Sequence, residues 1–199
     1  MSASNVVIIA AGGANIASLQ FALQRLGTTS AVSANARKIR EASHVILPGV
    51  GNAAHAMSLL RQQNLDALIA SLEQPVLGIC LGMQLLFEAS EEGKAQCLGV
   101  IPGRAARLPC DPGRPVPHMG WNTLKIDRPG GLLEGLSEND YAYFVHSYAL
   151  PVGPATIASS EYGLPFSACV QWHNFFGTQF HPERSAGAGA RLLQNFLKL

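Results

Sequence analysis

Charge is scarce in this sequence. Only 14% of its 199 residues are Asp, Glu, Lys or Arg, and the formal net charge is +1. No polybasic field follows, which sets nucleic acid and anionic membrane surfaces aside as partners. No apolar run approaches the roughly 20 residues of a membrane span. The opening Met1-Ser-Ala-Ser-Asn5 lacks the positive region of a signal peptide, and the apolar run behind it is short. Cysteine is sparse as well: Cys80, Cys97, Cys110 and Cys169 fit neither a disulfide framework nor a zinc site. A reduced, cytoplasmic setting is therefore expected, with no metal and no cofactor. Gly12-Gly13 follows an apolar run, but the full Gly-x-Gly-x-x-Gly of a dinucleotide site is missing. No repeat, low-complexity tract or linker divides the chain, so residues 1–199 are expected to form one domain. With 48% apolar residues, disorder is excluded.

What is present is an alternation of periods. Residues 6–10 form a continuous apolar run suited to a strand buried on both faces. Residues 15–26 carry Ile16, Leu19, Ala22, Leu23 and Leu26 at helical spacing, closed by Gly27. A weak strand at 29–33, a short helix at 34–41, a buried strand at 44–47, helices at 53–63 and 65–72 and a strand at 76–79 follow. This alternation predicts an α/β fold, a doubly wound, mostly parallel sheet with helices on both faces. From Cys97 onward the chain changes character. Residues 102–117, rich in Pro, Gly and Arg, are expected to be a loop with turns. Short β runs are expected at 140–150, 156–160, 166–172 and 175–180, and a closing helix at 186–197.

The run Gly78-Ile-Cys80-Leu-Gly82 ends the strand at 76–79 and leads at once into a helix-forming sequence. It has the Gly-x-nucleophile-x-Gly pattern of a nucleophile elbow, with Cys in place of Ser. A thiol there is exposed and sits at a helix N-terminus, whose dipole favours the thiolate. The other three cysteines read as small apolar fillers. A thiolate nucleophile needs a base, and the base an orienting group. In Phe180-His-Pro-Glu-Arg184, a strand is expected to end at His181. Residues two apart on extended chain share a side, so Glu183 can hold one imidazole nitrogen while the other faces the thiol. Gln84 lies one helical turn past Cys80, on the same side. Strand ends of a parallel sheet collect ligand sites, and Cys80 and Pro48-Gly-Val-Gly51 both follow such ends.

These motifs, Gly-Ile-Cys-Leu-Gly-Met-Gln and Phe-His-Pro-Glu, resemble those of class I (triad) glutamine amidotransferases over nearly the whole chain. Three further segments are similar to the glutaminase subunits of imidazole glycerol phosphate synthases: Leu47-Pro-Gly-Val-Gly-Asn52, Pro117-His-Met-Gly-Trp-Asn122 and Tyr143-Phe-Val-His-Ser-Tyr148. The resemblance implies hydrolysis of L-glutamine to glutamate and ammonia through a cysteinyl thioester. It implies Cys80 as nucleophile, His181 as base and Glu183 as its orienter. Oxyanion donors would be the backbone N–H of Leu81 and one from the segment holding Val50 and Gly51. Gln84, Glu92, His146, Ser147, Tyr148 and Gly49 would bind the substrate. The implied partner is a (β/α)8-barrel cyclase subunit, met in a heterodimer through Asn15, Trp121, Asn122, Tyr143 and Arg184. Ala10-Ala11 departs from the family, where an acidic or hydroxyl residue is common. On the residues alone, His146 reads as a satisfied structural histidine and Glu92 as a solvated charge. Three other functions stay open: the subunit of an anthranilate- or aminodeoxychorismate-type synthase, a cysteine hydrolase of esters or peptides, and a silent regulatory subunit.

Overall fold

The computed structural model describes residues 5–10 and 16–199; Ala11, Gly12, Gly13 and Asn15, the last an expected partner contact, lie outside them. In chain order the elements are β1 (Val6–Ile9), α1 (Ile16–Arg25), β2 (Ser30–Ser33), α2 (Ala36–Arg40), β3 (His44–Gly49), α3 (Ala53–Gln62), α4 (Asp66–Ala70), β4 (Val76–Cys80) and α5 (Leu81–Leu85). The second half continues with β5 (Phe87–Ser90), β6 (Ala95–Gln96), β7 (Ile101–Arg107), β8 (His118–Thr123), β9 (Lys125–Ile126), β10 (Tyr141–His146), β11 (Tyr148–Ala149), β12 (Thr156–Tyr162), β13 (Leu164–Trp172), β14 (Phe175–Thr178) and α6 (Ala186–Phe196).

Among the described residues the main sheet has eight strands, in the order β2-β1-β3-β4-β14-β13-β12-β9. From β2 to β14 all neighbours are parallel, and β13, β12 and β9 add an antiparallel flank. The apolar run of β1 is continuous because both its faces are covered. Val7 and Ile9 join a cluster with Met57 and Leu60 of α3 and Ile69 of α4. Val6 and Ile8 join another with Leu19 and Leu23 of α1 and Leu192 and Phe196 of α6. Helices thus cover both faces, as the alternation predicted. Each such fully buried Leu or Phe is worth about 1.5–3 kcal/mol relative to exposure. No helix among the described residues is long and apolar enough to cross a membrane.

The structure corrects the sequence reading at four places. The helix after Cys80 is a single five-residue turn, and β5 follows it directly. Tertiary pairing ends it: the Leu85 and Leu86 carbonyls accept N–H groups from Leu98 and Val100. Residues Ile101–Arg107 form a strand where a loop was expected. Its Pro102 and Gly103 are accommodated where the register with β5 shifts, and Gly103 takes φ 127°. Trp121 lies on β8, a strand that the sequence reading did not expect, paired antiparallel with β10. Finally, β14 stops at Thr178, so His181 sits on the connection beyond the strand.

Close packing between β3 and the turn after β4 sets the site. Gly49 pairs with Cys80 across the sheet. A Cβ on Gly49 would come within 2.7 Å of the Gly82 nitrogen, and one on Gly82 would collide with the Leu47 carbonyl. One on Gly78 would meet Met83 at 2.7 Å. These are backbone contacts that cannot yield. Gly82→Ala is therefore expected to destabilise the fold by about 3 kcal/mol or more. Gly187→Ala in α6, where a Cβ meets nothing within 4 Å, should be neutral or stabilise by up to about 1 kcal/mol. Urea midpoints of the two variants check this; a Gly82→Ala midpoint at the wild-type value would contradict the packing argument.

Candidate active site

Cys80 ends β4 with φ 54° and ψ −111°, a conformation that residues with a side chain rarely adopt. The turn aims the thiol into a cavity of about 300 Å³, where Cys80 is buried and not exposed as its elbow motif suggested. Val50, Gly51, Leu81, Gln84, Glu92, His146, Ser147, Tyr148 and His181 line it with Cys80. Gly49 lies beneath it, pressed against the turn. The Leu81 N–H opens α5, so it has no partner within that helix. Val50 is partly exposed, and Gly51 takes φ 92° with open space around it. That places conformational freedom at Gly51, while Gly49 is glycine because of the close approach.

His181 is buried, at 7% exposure, with Nδ1 2.9 Å from Glu183 Oε1. The pair forms although Glu183 is on a 3-10 turn, Pro182–Arg184, and not on extended chain as the spacing argument assumed. His181 is further fixed by its backbone, whose N–H donates to the Tyr143 carbonyl, and by its own carbonyl, which accepts from Ser185 Oγ. Nε2 makes no hydrogen bond of good geometry here, yet the Cys80 thiol is close enough to act on the ring. Burial works against the imidazolium, but Cys80 and Glu183 on its two sides outweigh it and raise the His181 pKa to about 10. Next to the sulfur stand a backbone carbonyl and a side-chain amide. The Val145 carbonyl lies 3.8 Å from Cys80 Sγ, and Gln179 Nε2 lies 3.7 Å from it.

The expected substrate residues divide into two kinds. Gln84 is buried, and its Nε2 donates to the Tyr148 carbonyl at 2.9 Å and to Gln179 Oε1 at 3.0 Å. Both its N–H bonds are thus used within the protein, so its carbonyl oxygen is what it offers a ligand. Glu92 is not a solvated charge. One oxygen accepts the Ala53 N–H at the start of α3 at 2.8 Å, and burial, partly offset by that bond, raises its pKa. His146 has no ring nitrogen left for a ligand. Nδ1 meets the Tyr148 carbonyl at 2.9 Å, and Nε2 meets His118 Nδ1 at 3.0 Å. A carbonyl only accepts, so His146 carries its proton on Nδ1 and His118 donates to Nε2. Burial lowers the pKa of His118 to about 4; burial, with His118 and His181 nearby, lowers that of His146 to about 3. Both rings are neutral, and the His146 side chain is the satisfied structural kind.

The expected partner contacts cluster on the β8–β10 ribbon. Trp121 is 52% exposed and packs edge-on against Tyr143, its cross-strand neighbour. Met119 and Tyr141, which sequence reasoning did not single out, extend this apolar face. Asn122 is engaged with its own chain, donating to the Glu161 carbonyl and accepting from the Thr123 N–H. Arg184 is exposed beside the His181–Glu183 turn. Of the filler cysteines, Cys169 is fully buried and Cys97 half-buried, its thiol pushed up to about 11 by burial. Cys110 is a correction: it is exposed. The residue sequence reasoning missed is Gln179. The signal was available, because it precedes His181 by two, the same spacing that singled out Glu183.

A cysteine on a strained strand-to-helix turn, beside a His–Glu pair just beyond the end of a parallel strand, is an arrangement suited to thiol-dependent acyl transfer. Residues 7–199 match the family described as Glutamine amidotransferase class-I, and the chain belongs to that family. It is similar to the imidazole glycerol phosphate synthase subunit HisH of Vibrio cholerae serotype O1, 51% identical over 201 residues and 98% of each chain. It is also 51% identical over 196 residues, again 98% of each chain, to the protein of that name from Xylella fastidiosa. Two solved structures share the fold. One is described as a glutamine amidotransferase, with TM-score 0.75, 20% identity and 97% of both chains covered. The other is a glutamine amidotransferase from Thermotoga maritima, with TM-score 0.68, 17% identity and coverage of 92% of this chain and 77% of that one.

The raised His181 pKa has a consequence for stability. Its unfolded value is near 6.5, so the imidazolium's stabilisation is fully present below that pH and is lost as pH rises through about 10. The stability difference between wild type and His181→Asn should therefore shrink steadily over that interval in urea titrations. A difference independent of pH across it would contradict the assignment.

Proposed function

We propose that this chain is the glutaminase subunit of an imidazole glycerol phosphate synthase, hydrolysing glutamine at Cys80 and delivering ammonia to a cyclase subunit. The observation that carries the chemistry is convergence: Cys80 and the hydrogen-bonded His181–Glu183 pair meet at one cavity, whose walls also hold Gln84 and Glu92. The likeness to subunits of that synthase over 98% of the chain carries the assignment to it over a chorismate-type partner.

In this reading the Cys80 sulfur attacks the side-chain amide carbon of glutamine. The oxyanion that forms meets the Leu81 N–H and a donor from the segment holding Val50 and Gly51, one such donor being worth about 3 kcal/mol. The carbon–nitrogen bond breaks as His181 gives its proton to the leaving nitrogen, and ammonia departs from a γ-glutamyl thioester. Water, deprotonated by the now neutral His181, attacks the thioester and releases glutamate. Glu183 fixes which nitrogen of the ring faces the sulfur. The Gln84 and Glu92 oxygens are acceptors suited to the substrate's α-ammonium group, with Ser147 and Tyr148 closing that end of the cavity. The His146 ring shapes the wall through Tyr148.

Ammonia is useful only if it reaches a second site before solvent protonates it, which makes a docked partner part of the function. The exposed strip of Met119, Trp121 and Tyr141, with half-buried Tyr143 between them and Arg184 exposed on the His181–Glu183 turn, suits that docking. The proposed partner is a (β/α)8-barrel cyclase forming a heterodimer with this chain.

Two measurements test the reading. In the complex reconstituted with a cyclase and its nucleotide ligand, Cys80→Ala should abolish glutamate release; persisting turnover would contradict it. His181→Ala should lower kcat by about 10³-fold or more. Glu183→Gln should cost less, by roughly two orders of magnitude. Equal losses would show that orientation of the ring, not its proton chemistry, dominates.

A further inference from the structure

Beside the triad lies a polar network whose end at Gln179 the mechanism above does not use, and one carbonyl fixes its direction. The Tyr148 carbonyl oxygen can only accept, so the Gln84 atom 2.9 Å from it is the amide nitrogen. That nitrogen is also 3.0 Å from the Gln179 side chain, which must therefore present its oxygen. The other end of Gln179 is then its NH2 group, and this group lies 3.7 Å from the Cys80 sulfur. Amide orientations are ordinarily ambiguous; here they follow in sequence from a group that has no choice. The same carbonyl accepts from His146, which in turn accepts from His118, so the hydrogen-bonded network runs from β8 to Gln179.

Gln179 has no solvent-accessible surface. Burying a primary amide is costly unless its groups are bonded, and an apolar residue of similar length would fill the same space. The acceptor its NH2 group reaches is the sulfur. On the same sulfur the Val145 carbonyl, 3.8 Å away, is an acceptor and favours the protonated thiol. An N–H donor does the opposite: it favours the charged form, and more strongly in a buried setting. The helix behind Cys80 is only one turn long, so its dipole is a weak substitute.

We propose that Gln179 is a positioning residue for the nucleophile, its amide N–H held on the Cys80 sulfur by Gln84 and Tyr148 so that the thiolate is stabilised and aimed into the cavity. Gln84 thereby has two tasks on opposite sides. Its N–H groups brace Gln179, and its carbonyl oxygen faces the cavity. The inference rests on Cys80 being the nucleophile, as proposed above.

The test reads the thiolate directly. The rate of Cys80 alkylation by iodoacetamide is followed against pH on the full chain, with the modified peptide quantified by mass spectrometry. Titratable groups near the sulfur are His181, Glu183, His146 and Glu92, and all are retained in the variants. Gln179→Met removes the donor without adding charge. It should raise the alkylation midpoint by about one pH unit, the size expected for losing one hydrogen bond to a charged group. It should also lower kcat for glutamine in the complex about tenfold while KM changes less than about twofold. Gln179→Glu, close to isosteric, adds repulsion to the loss and should raise the midpoint further. It carries the test if the Met variant does not fold. A residue that only fills space would not give this order. An unmoved midpoint in a folded Gln179 variant overturns the inference when Cys80→Ala is inactive in glutamine hydrolysis. Turnover persisting in Cys80→Ala would instead overturn the glutaminase reading itself.

Discussion

The contact on which the site depends is backbone against backbone: the turn after Cys80 pressed onto the end of β3. Gly82 touches the Leu47 carbonyl, and Gly49 approaches the Gly82 nitrogen, so no side chain fits between them. That contact fixes the angle at which the chain leaves β4 and holds Cys80 at φ 54°. It also places the segment bearing Val50 and Gly51 beside the thiol, so nucleophile and candidate oxyanion donor are positioned by one packing constraint. The strain at Cys80 is maintained by the register of β3, β4 and β14, whose ends all meet there.

Around that turn, two polar systems stand beside the sulfur. His181 and Glu183 come from the connection after β14, held through the Tyr143 carbonyl and Ser185. Gln179 comes from the same connection, oriented by Gln84 on α5 and by the Tyr148 carbonyl. Strand β10 reaches both the base and the sulfur. Its Tyr143 and Val145 carbonyls face His181 and Cys80, while Tyr143 also lies against Trp121 on the exposed face. The surface proposed for docking and the reactive centre therefore share a strand.

Much of this was legible in the sequence because it rests on local pattern. The buried runs at β1, β3 and β4 and the periodic helices α1, α3 and α6 follow from apolar spacing. The elbow follows from Gly78 and Gly82, and the His–Glu pair from adjacency. What was not legible depends on long-range pairing. Strand β7, with its Pro102 and Gly103, forms because β5 and β11 supply partners, and α5 stops because Leu98 and Val100 take the Leu85 and Leu86 carbonyls. Strand β8, which carries Trp121, was not expected because its partner strand β10 begins 20 residues after Trp121, at Tyr141. The structural role of His146 was readable from the residues alone, but its partner was not, since His118 lies on another strand. Gln179 carried only its two-residue spacing from His181 as a signal; its bonds to Gln84 and the sulfur come from distant parts of the chain.

The central claim is that Cys80 forms an acyl intermediate with glutamine in a site assembled by the elbow. Acid quenching of the reconstituted complex during turnover, followed by peptide mass mapping, tests it most directly. The account predicts one γ-glutamyl group on the peptide containing Cys80, absent in Cys80→Ser. Acylation of the exposed Cys110 instead, or steady glutamine turnover with no thioester at Cys80 even in the slowed His181→Ala variant, would contradict it.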